Sequence, residues 1–304
     1  MIKLLITLVC LCSVGFSYEF APTEQKSVGK ITILDVKNLD FDSLNGIDFK
    51  GVSDLAYDKE KGLFALSDFG YLYKLDLQLK NRKISHISLL NAYVLKNKKG
   101  KKLKKKKSDS EGMVFSKKGL IISFERQPKI SLFDFQGQKI KNYKLAKELE
   151  DIKNYQKKNK ALESLVKHPD FGLITAPEIS LKGEDKNYHI LYSKNRQWKF
   201  SASHKITAME LLSDDNLLVL ERDFSYLKGY SITLKKVNIM DCKEICKSEI
   251  LADLKSTQGW NLENFEGLTH LYDNVYLMVS DDNGSFLQKT LLVLFEINIT
   301  QKSQ

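Results

Sequence analysis

The feature that most constrains the fold of this chain is a motif that occurs five times. Each copy combines a short apolar strand, a polar turn with Gly or Asn, and a second apolar strand that ends in acidic residues. A third, alternating strand tends to follow. Such turns between strand-like segments indicate hairpins, and a repeat of ~45–58 residues is typical of four-stranded β-propeller blades. The copies begin with residues 51–57, 109–115, 162–166, 206–212 and 264–269.

The sequence therefore predicts an all-β protein, a β-propeller of five or six four-stranded blades. Five copies are visible, and the divergent segments have room for a sixth. A strand at residues 30–34 is predicted to pair with the last blade and close the ring, which leaves no open edge. A pair of β-sandwiches is the competing fold, but it does not explain one motif repeated at blade spacing. Helical spacing of apolar residues over 145–159 predicts one inserted helix.

The N-terminus has the features of a secretory signal peptide. A basic residue precedes an apolar run over residues 4–14, and the small residues Gly15 and Ser17 suit cleavage after Ser17. The run is too short to span a membrane comfortably. We therefore predict a signal peptide over 1–17, a single mature domain over 18–304, no integral membrane segment after cleavage, and a periplasmic or secreted location.

The four cysteines fall into two pairs. Cys10 and Cys12 lie in the signal peptide, where lipidation of either is an alternative that the bulky preceding residues disfavour. Cys242 and Cys246 remain after cleavage. In an exported protein two cysteines four residues apart predict a local disulfide. A zinc site would need two more ligands, and no matching Cys or His pair lies nearby.

The net charge of +10 is carried mainly by lysine. Only Arg82, Arg126, Arg196 and Arg222 of the 48 basic residues are arginine. Because nucleic-acid readers rely on arginine for bidentate contacts, we predict no nucleic-acid partner. Nine lysines fall within residues 96–107, and their mutual repulsion predicts a mobile loop. This segment is either a solvated insertion between blades or a surface that captures a polyanionic substrate or an anionic membrane.

Acidic residues recur at two positions of the motif. In a propeller, equivalent positions form a ring, so acids on innermost first strands would converge at one mouth of the channel. Converging carboxylates can bind Ca²⁺, share protons as general acid and base, or cap backbone N–H groups and pair with Arg126 and Arg222. The first-strand set is Asp54, Glu111, Glu163 and Glu266, with Ala208 followed by Glu210 in the fourth copy. The second-strand set is Asp68, Glu125, Glu178, Glu221 and Asp281.

Several of these segments, taken in order, resemble the phytase-like family described as carrying the esterase-like activity of phytase. The resemblance covers about residues 30–298. The chain departs from the family pattern at Ser164, where Gly is expected after Glu163, and this questions the backbone geometry of the third copy. The segments that carry the resemblance are 108–113, 125–126, 159–165, 208–212, 220–224 and 264–268.

The resemblance implies an exported phosphoester hydrolase that depends on a bound cation. Glu111, Glu163 and Glu266, with Asp54, would hold Ca²⁺, which would activate water against phosphorus. Asp281, in a turn of calcium-loop-like composition, is a further candidate ligand. The same three glutamates, with Arg126 and Arg222, form the predicted catalytic set; either arginine would offset charge on the transferring group.

Two other functions remain open on the sequence. One is a non-catalytic periplasmic propeller that binds a protein or glycan and holds structural calcium. The other is a lactonase- or carboxylesterase-like metal propeller. For the hydrolase we expect a small-molecule phosphate ester or another anionic substrate, and a monomeric protein.

Overall fold

The computed structural model describes residues 20–22 and 25–298 and arranges them in five antiparallel sheets. The predicted signal peptide lies outside the described residues. The chain first forms β1 (Ser27–Val28) and β2 (Ile31–Asn38). Blade 1 then contains β3 (Val52–Asp58), β4 (Gly62–Ser67), β5 (Tyr71–Lys80) and β6 (Lys83–Val94). Blade 2 contains β7 (Ser110–Ser116), β8 (Gly119–Phe124), β9 (Lys129–Phe133) and β10 (Lys139–Tyr143).

The next two blades repeat this order, and the last one is completed by the N-terminal strands. Blade 3 contains β11 (Leu162–His168), β12 (Gly172–Pro177), β13 (Tyr188–Tyr192) and β14 (Gln197–Ser201). Blade 4 contains β15 (Lys205–Leu211), β16 (Leu217–Ser225), β17 (Gly229–Val237) and β18 (Ser248–Lys255). Blade 5 contains β19 (Asn264–Tyr272), β20 (Val275–Asp281) and β21 (Leu291–Ile297), followed by β2 and β1.

The first strands of the blades form the inner ring. Each contacts the next, from β3 through β7, β11 and β15 to β19, and β19 returns to β3. Strand β2 pairs antiparallel with β21, with Ile33 opposite Phe295. The prediction of an all-β propeller closed by the N-terminal strand is therefore confirmed, and the number of blades is five.

The hydrophobic core lies between neighbouring blades. Strands β8 and β20 are buried along their whole length, because a middle strand of a blade is covered on both faces. Between blades 3 and 4, for example, Trp198 and Phe200 pack with Leu217 and Val219. This packing makes each inner strand a rigid support for the side chains at its start.

The prediction of a single helix over 145–159 is wrong. The segment forms two one-turn 3₁₀ helices, Lys147–Leu149 and Ile152–Asn154. Between them Asp151 is extended, and its carboxylate accepts a hydrogen bond from the backbone N–H of Lys153. Such local side-chain bonds compete with helical ones, and the apolar residues that suggested a helix are instead buried in the core between blades 2 and 3.

The lysine-rich segment 96–107 is anchored, in contrast to the predicted mobile loop. Lys96 forms β-bridges with Lys102 and with Gln138, and Leu103 is buried. The segment ends in a 3₁₀ turn, Lys105–Lys107. Backbone pairing and one buried side chain thus fix this segment despite its charge repulsion.

The predicted local disulfide joins Cys242 and Cys246 in the connection between β17 and β18. The backbone N–H of Cys246 donates to the carbonyl of Lys199 in blade 3, so the bridged loop ties the outer edges of blades 3 and 4 together. No helix within the described ranges is long and apolar enough to cross a membrane.

Candidate functional site

A β-bulge near the start of the first strand is common to all five blades. In each blade the pairing of the first strand with the second skips at this point. Bulges redirect side chains and are frequent beside active sites. The residues at the skipped positions are Ser53, Glu111 with Gly112, Glu163, Thr207 and Glu266.

This register changes the alignment of the repeats by one residue in blades 1 and 4. Glu111, Glu163 and Glu266 are equivalent to Ser53 and Thr207 rather than to Asp54 and Ala208. The hydroxyl of Ser53 donates to the carbonyl of Ser110 at 2.7 Å, and that of Thr207 to Phe265 at 3.1 Å. In blades 1 and 4 the bulge side chain is therefore hydrogen-bonded to the next blade. The other three blades have a carboxylate at the bulge position. Blade 3 keeps the bulge with Ser164 in place of Gly.

Asp54 occupies a structural position that separates it from the other predicted ligands. Its side chain is buried and accepts hydrogen bonds from the backbone N–H groups of Leu55, Met113 and Leu268. Burial raises the pKa of Asp54 well above its ordinary value, although these three bonds oppose the shift. Asp54 thus joins the first strands of blades 1, 2 and 5, and it does not line the cavity described next.

An open cavity of about 320 Å³, here called the acidic cavity, lies at one mouth of the channel. It contains five residues of the predicted site, namely Glu111, Glu163, Glu266, Arg126 and Arg222, together with the candidate ligand Asp281. Seven carboxyl groups and three basic side chains line it, so acidic groups outnumber basic ones. The lining residues are Asp68, Asp109, Glu111, Glu125, Arg126, Asn159, Lys160, Glu163, Arg222, Phe224, Tyr230, Asn264, Glu266, Asp281 and Asn283.

Two trios of acidic residues share Glu125. Asp109, Glu111 and Glu125 form one trio, and Glu125, Glu163 and Glu178 form the other; within each trio the nearest oxygens lie within 4.8 Å of one another. Two oxygens on opposite sides of a Ca²⁺ ion lie roughly 5 Å apart, since each bond is about 2.3–2.6 Å long. The spacing therefore fits a single cation in either trio.

An unpaired buried oxygen supports the same fit. Glu163 is 7% exposed, and its Oε2 atom is buried without a hydrogen-bond partner. The Oδ1 atom of Asp68, which also lines the cavity, is likewise buried without a hydrogen-bond partner. A buried carboxylate oxygen without a partner is costly, and a hard cation coordinated by oxygen would remove that cost.

The basic side chains of the cavity join neighbouring blades. Arg222 of blade 4 lies 3.1 Å from Glu266 of blade 5 and 4.0 Å from Glu178 of blade 3. Lys160 forms an ion pair with the same Glu178. The predicted pairing of acids with Arg222 and Arg126 is thus present: Arg222 pairs with acids of neighbouring blades, whereas Arg126 pairs with Asp109 of its own blade.

Burial and crowding raise the pKa values of the acids in the cavity. Burial raises the pKa of Glu125 to about 8 and that of Asp68 to about 7, and neighbouring carboxylates add to both shifts. The pKa values of Glu111, Glu163 and Asp281 are raised well above the ordinary range, first by burial and then by nearby acids. Without a cation, this group therefore retains protons near neutral pH.

Two other acids of the repeat lie outside the cavity. Glu221 is fully buried and pairs with Lys235 at 2.9 Å and with His189 at 3.3 Å. Although burial raises the pKa of Glu221, the bonds from His189 and Lys235 lower it below its ordinary value. Glu210 accepts hydrogen bonds from the backbone N–H groups of Leu211 and His270. Both residues therefore have structural partners.

Four charged residues that line the cavity were not in the predicted site set. Asp68 and Glu125 belong to the second-strand acids, and that position alone was a usable signal. Asp109 and Lys160 precede the bulge glutamates of their blades by two and three residues. Their contribution depends on where the chain enters the first strand, which the repeat pattern does not specify.

A family model described as "Phytase-like: Esterase-like activity of phytase" matches residues 47–284. No curated protein sequence matches the chain significantly.

Several solved structures are similar to this chain at low sequence identity. The PQQ-bound aldose sugar dehydrogenase of Streptomyces coelicolor has a TM-score of 0.46 at 9% identity, covering 88% of this chain and 98% of that one. A luciferin-regenerating enzyme has a TM-score of 0.41 at 12% identity, with coverage of 81% and 92%. A streptogramin B lyase has a TM-score of 0.39 at 7% identity, with coverage of 85% and 96%.

Proposed function

This chain belongs to the phytase-like family, and we propose that it is an exported hydrolase of phosphate esters that works at the acidic cavity with a bound divalent cation, Ca²⁺. The observation that carries the proposal is the unpaired, buried Oε2 atom of Glu163 within a cluster of carboxylates. Export through residues 1–17 is part of the same proposal. It predicts that the protein recovered outside the cytoplasm begins at Tyr18.

Glu111 and Glu163 are the ligands that the geometry favours, because each belongs to one of the two trios and both meet at Glu125. Glu266 and Asp281 line the same cavity and extend the set of oxygen donors. A bound Ca²⁺ would polarise phosphoryl oxygens and lower the pKa of a bound water. The chain itself supplies a preformed cage, since rigid inner strands hold the bulge glutamates.

The arginines give the cavity a means of accepting an anionic substrate. Arg222 is only 14% exposed and lies among Glu266 and Glu178, with its Nε atom buried and without a hydrogen-bond partner. Burial lowers the pKa of Arg222, but the charges of Glu266 and Glu163 raise it overall, so the guanidinium stays charged. Arg126 is half exposed at the rim. Positive groups placed in this way offset charge that develops on a transferring phosphoryl group.

The test is hydrolysis of p-nitrophenyl phosphate, its bis-ester, and a lactone, each with Ca²⁺ and with EDTA. We expect Ca²⁺-dependent phosphoester hydrolysis that Glu163→Gln and Glu111→Gln reduce by at least about 100-fold. Glu60→Gln, in the exposed turn between β3 and β4, is the matched control and should retain full activity.

Three outcomes would oppose the proposal in different ways. Full phosphoesterase activity in both cavity variants would show that the acidic cavity is not the site of hydrolysis. Turnover of the lactone alone would favour the lactonase-like function. Calcium binding with no turnover of any ester would favour the non-catalytic propeller.

A further inference from the structure

Two pairs of large hydrophobic side chains project from neighbouring tips of the propeller. Tyr226 and Leu227, at the turn between β16 and β17, are 98% and 97% exposed. Phe286 and Leu287, in the connection between β20 and β21, are 95% and 79% exposed. Single exposed apolar residues are ordinary on protein surfaces, but paired, almost fully exposed ones at loop tips indicate a surface that meets an apolar phase.

Both tips stand on the rim of the acidic cavity. Phe224 and Tyr230, which flank the first tip, line that cavity, as does Asn283 at the base of the second. The ring of Phe224 packs against Tyr226 at 5.4 Å and against Tyr230 at 4.7 Å. Gln288 donates a hydrogen bond to the hydroxyl of Tyr230 at 3.0 Å and so connects the two loops. The tips are therefore held in fixed positions beside one opening.

A basic surface continues this rim on its other side. A cleft of about 740 Å³ shares Asp68, Asp109 and Arg126 with the acidic cavity. Its other lining residues are two aromatic residues, Leu103, Ser108 and three lysines, Lys102, Lys104 and Lys106. All three lysines are exposed.

The second tip and the basic cleft meet at Phe69. This side chain is 41% exposed and lines the cleft. It also lies against Gly284, where an added Cβ atom would be 3.2 Å from the Phe69 ring. The two separate apolar tips and the lysines thus lie on connected parts of the rim.

We propose that this rim docks on the surface of a membrane that contains anionic lipids. The four tip side chains enter the interface between headgroups and acyl chains, where aromatic and aliphatic residues are favoured. The lysines of the cleft face the headgroups, whose negative potential attracts them. A bilayer fits better than a protein partner, because two separate protruding tips suit a deformable apolar layer while a protein interface needs a continuous complementary patch. The proposal does not depend on the proposed catalytic activity.

The experiment is sedimentation with lipid vesicles. The chain is used from Tyr18, because every strand of the described residues lies within 27–297 and the propeller is retained, while the apolar predicted signal peptide is excluded. Vesicles of phosphatidylcholine with about 30% phosphatidylglycerol are compared with pure phosphatidylcholine at low and high salt. We expect binding to the mixed vesicles that weakens as salt screens the lysines.

Two paired variants test the tips separately. One variant carries Tyr226→Ser and Leu227→Ser, and the other carries Phe286→Ser and Leu287→Ser. Each should weaken binding at least about tenfold, since large apolar side chains are removed from the interface. The control carries Leu90→Ser and Ile250→Ser, which alter residues 51% and 53% exposed on the outermost strands β6 and β18. The control should bind as the unaltered chain does.

The lysines are tested by Lys104→Gln with Lys106→Gln, which should remove most of the preference for anionic vesicles. Absence of binding by the unaltered chain would overturn the proposal. So would unchanged binding in both tip variants, or an equal loss in the outer-strand control. All variants should keep the thermal stability of the unaltered chain, because the substituted side chains are exposed.

Discussion

Replacing Glu163 with Gln should change the stability of the protein in opposite directions with and without a cation. Burial and neighbouring acids raise the pKa of Glu163 far above its ordinary value. A group with a raised folded-state pKa contributes stability below its unfolded pKa and loses it as pH rises towards the folded one. At pH 8 this carboxyl group therefore destabilises the cation-free protein. A neutral Gln of the same shape should raise the Tm of the cation-free protein.

A bound cation should stabilise the unaltered chain more than it stabilises Glu163→Gln. At 100 times its Kd, one bound Ca²⁺ adds about 2.7 kcal/mol to the free energy of unfolding. Unfolding entropy is about 2.1 cal/mol/K per residue. For the roughly 280 described residues, a gain of this size in the free energy of unfolding therefore raises Tm by about 5 °C. We expect a rise near this size for the unaltered chain and less than about half of it for Glu163→Gln, which lacks one anionic ligand.

Differential scanning calorimetry in EDTA and in Ca²⁺, with Mg²⁺ as the competing ion, measures both effects. Glu60→Gln is again the matched control and should behave as the unaltered chain does. A lower Tm for Glu163→Gln in EDTA, or a calcium-induced rise equal to that of the unaltered chain, would refute the assignment of Glu163 as a buried, unpaired cation ligand.

Three further predictions follow from the contacts around the ring. Asp54→Asn keeps one carbonyl oxygen for three backbone donors, so it should cost about 2 kcal/mol of stability in urea denaturation; if it also removes the calcium-induced rise in Tm, Asp54 is a ligand after all. Arg222→Met takes the guanidinium partner from Glu266 of blade 5 and leaves Glu178 of blade 3 with Lys160, and it should cost about 3 kcal/mol at pH 8, and less at pH 5, where those acids gain protons; an equal loss at both pH values would contradict this account. Replacing Cys242 and Cys246 with Ser opens a small loop and should cost about 2 kcal/mol in the chain-entropy model, with hydrolysis unchanged; altered kcat/KM would connect the outer edge to the cavity.

Much of the architecture could be predicted because the propeller motif is local. Alternating apolar residues and Gly- or Asn-containing turns define each hairpin, and the closing strand at residues 30–34 followed from the need to cover an open edge. The convergence of Glu111, Glu163 and Glu266 also followed, since equivalent positions of a cyclic repeat share one end of the channel. The helix over 145–159 was predicted wrongly, because apolar spacing does not reveal that Asp151 caps a new turn.

The sequence by itself determined that the blades repeat, that the ring closes and that acids gather at one mouth, because these properties depend on periodicity along the chain. Only the tertiary structure decided which acids meet. A bulge inserts one residue without a clear local signature, and a one-residue shift exchanges the faces of a strand. That shift places Ser53 rather than Asp54 at the position of the bulge glutamates, while Arg222 reaches acids of two other blades across contacts that no local pattern records.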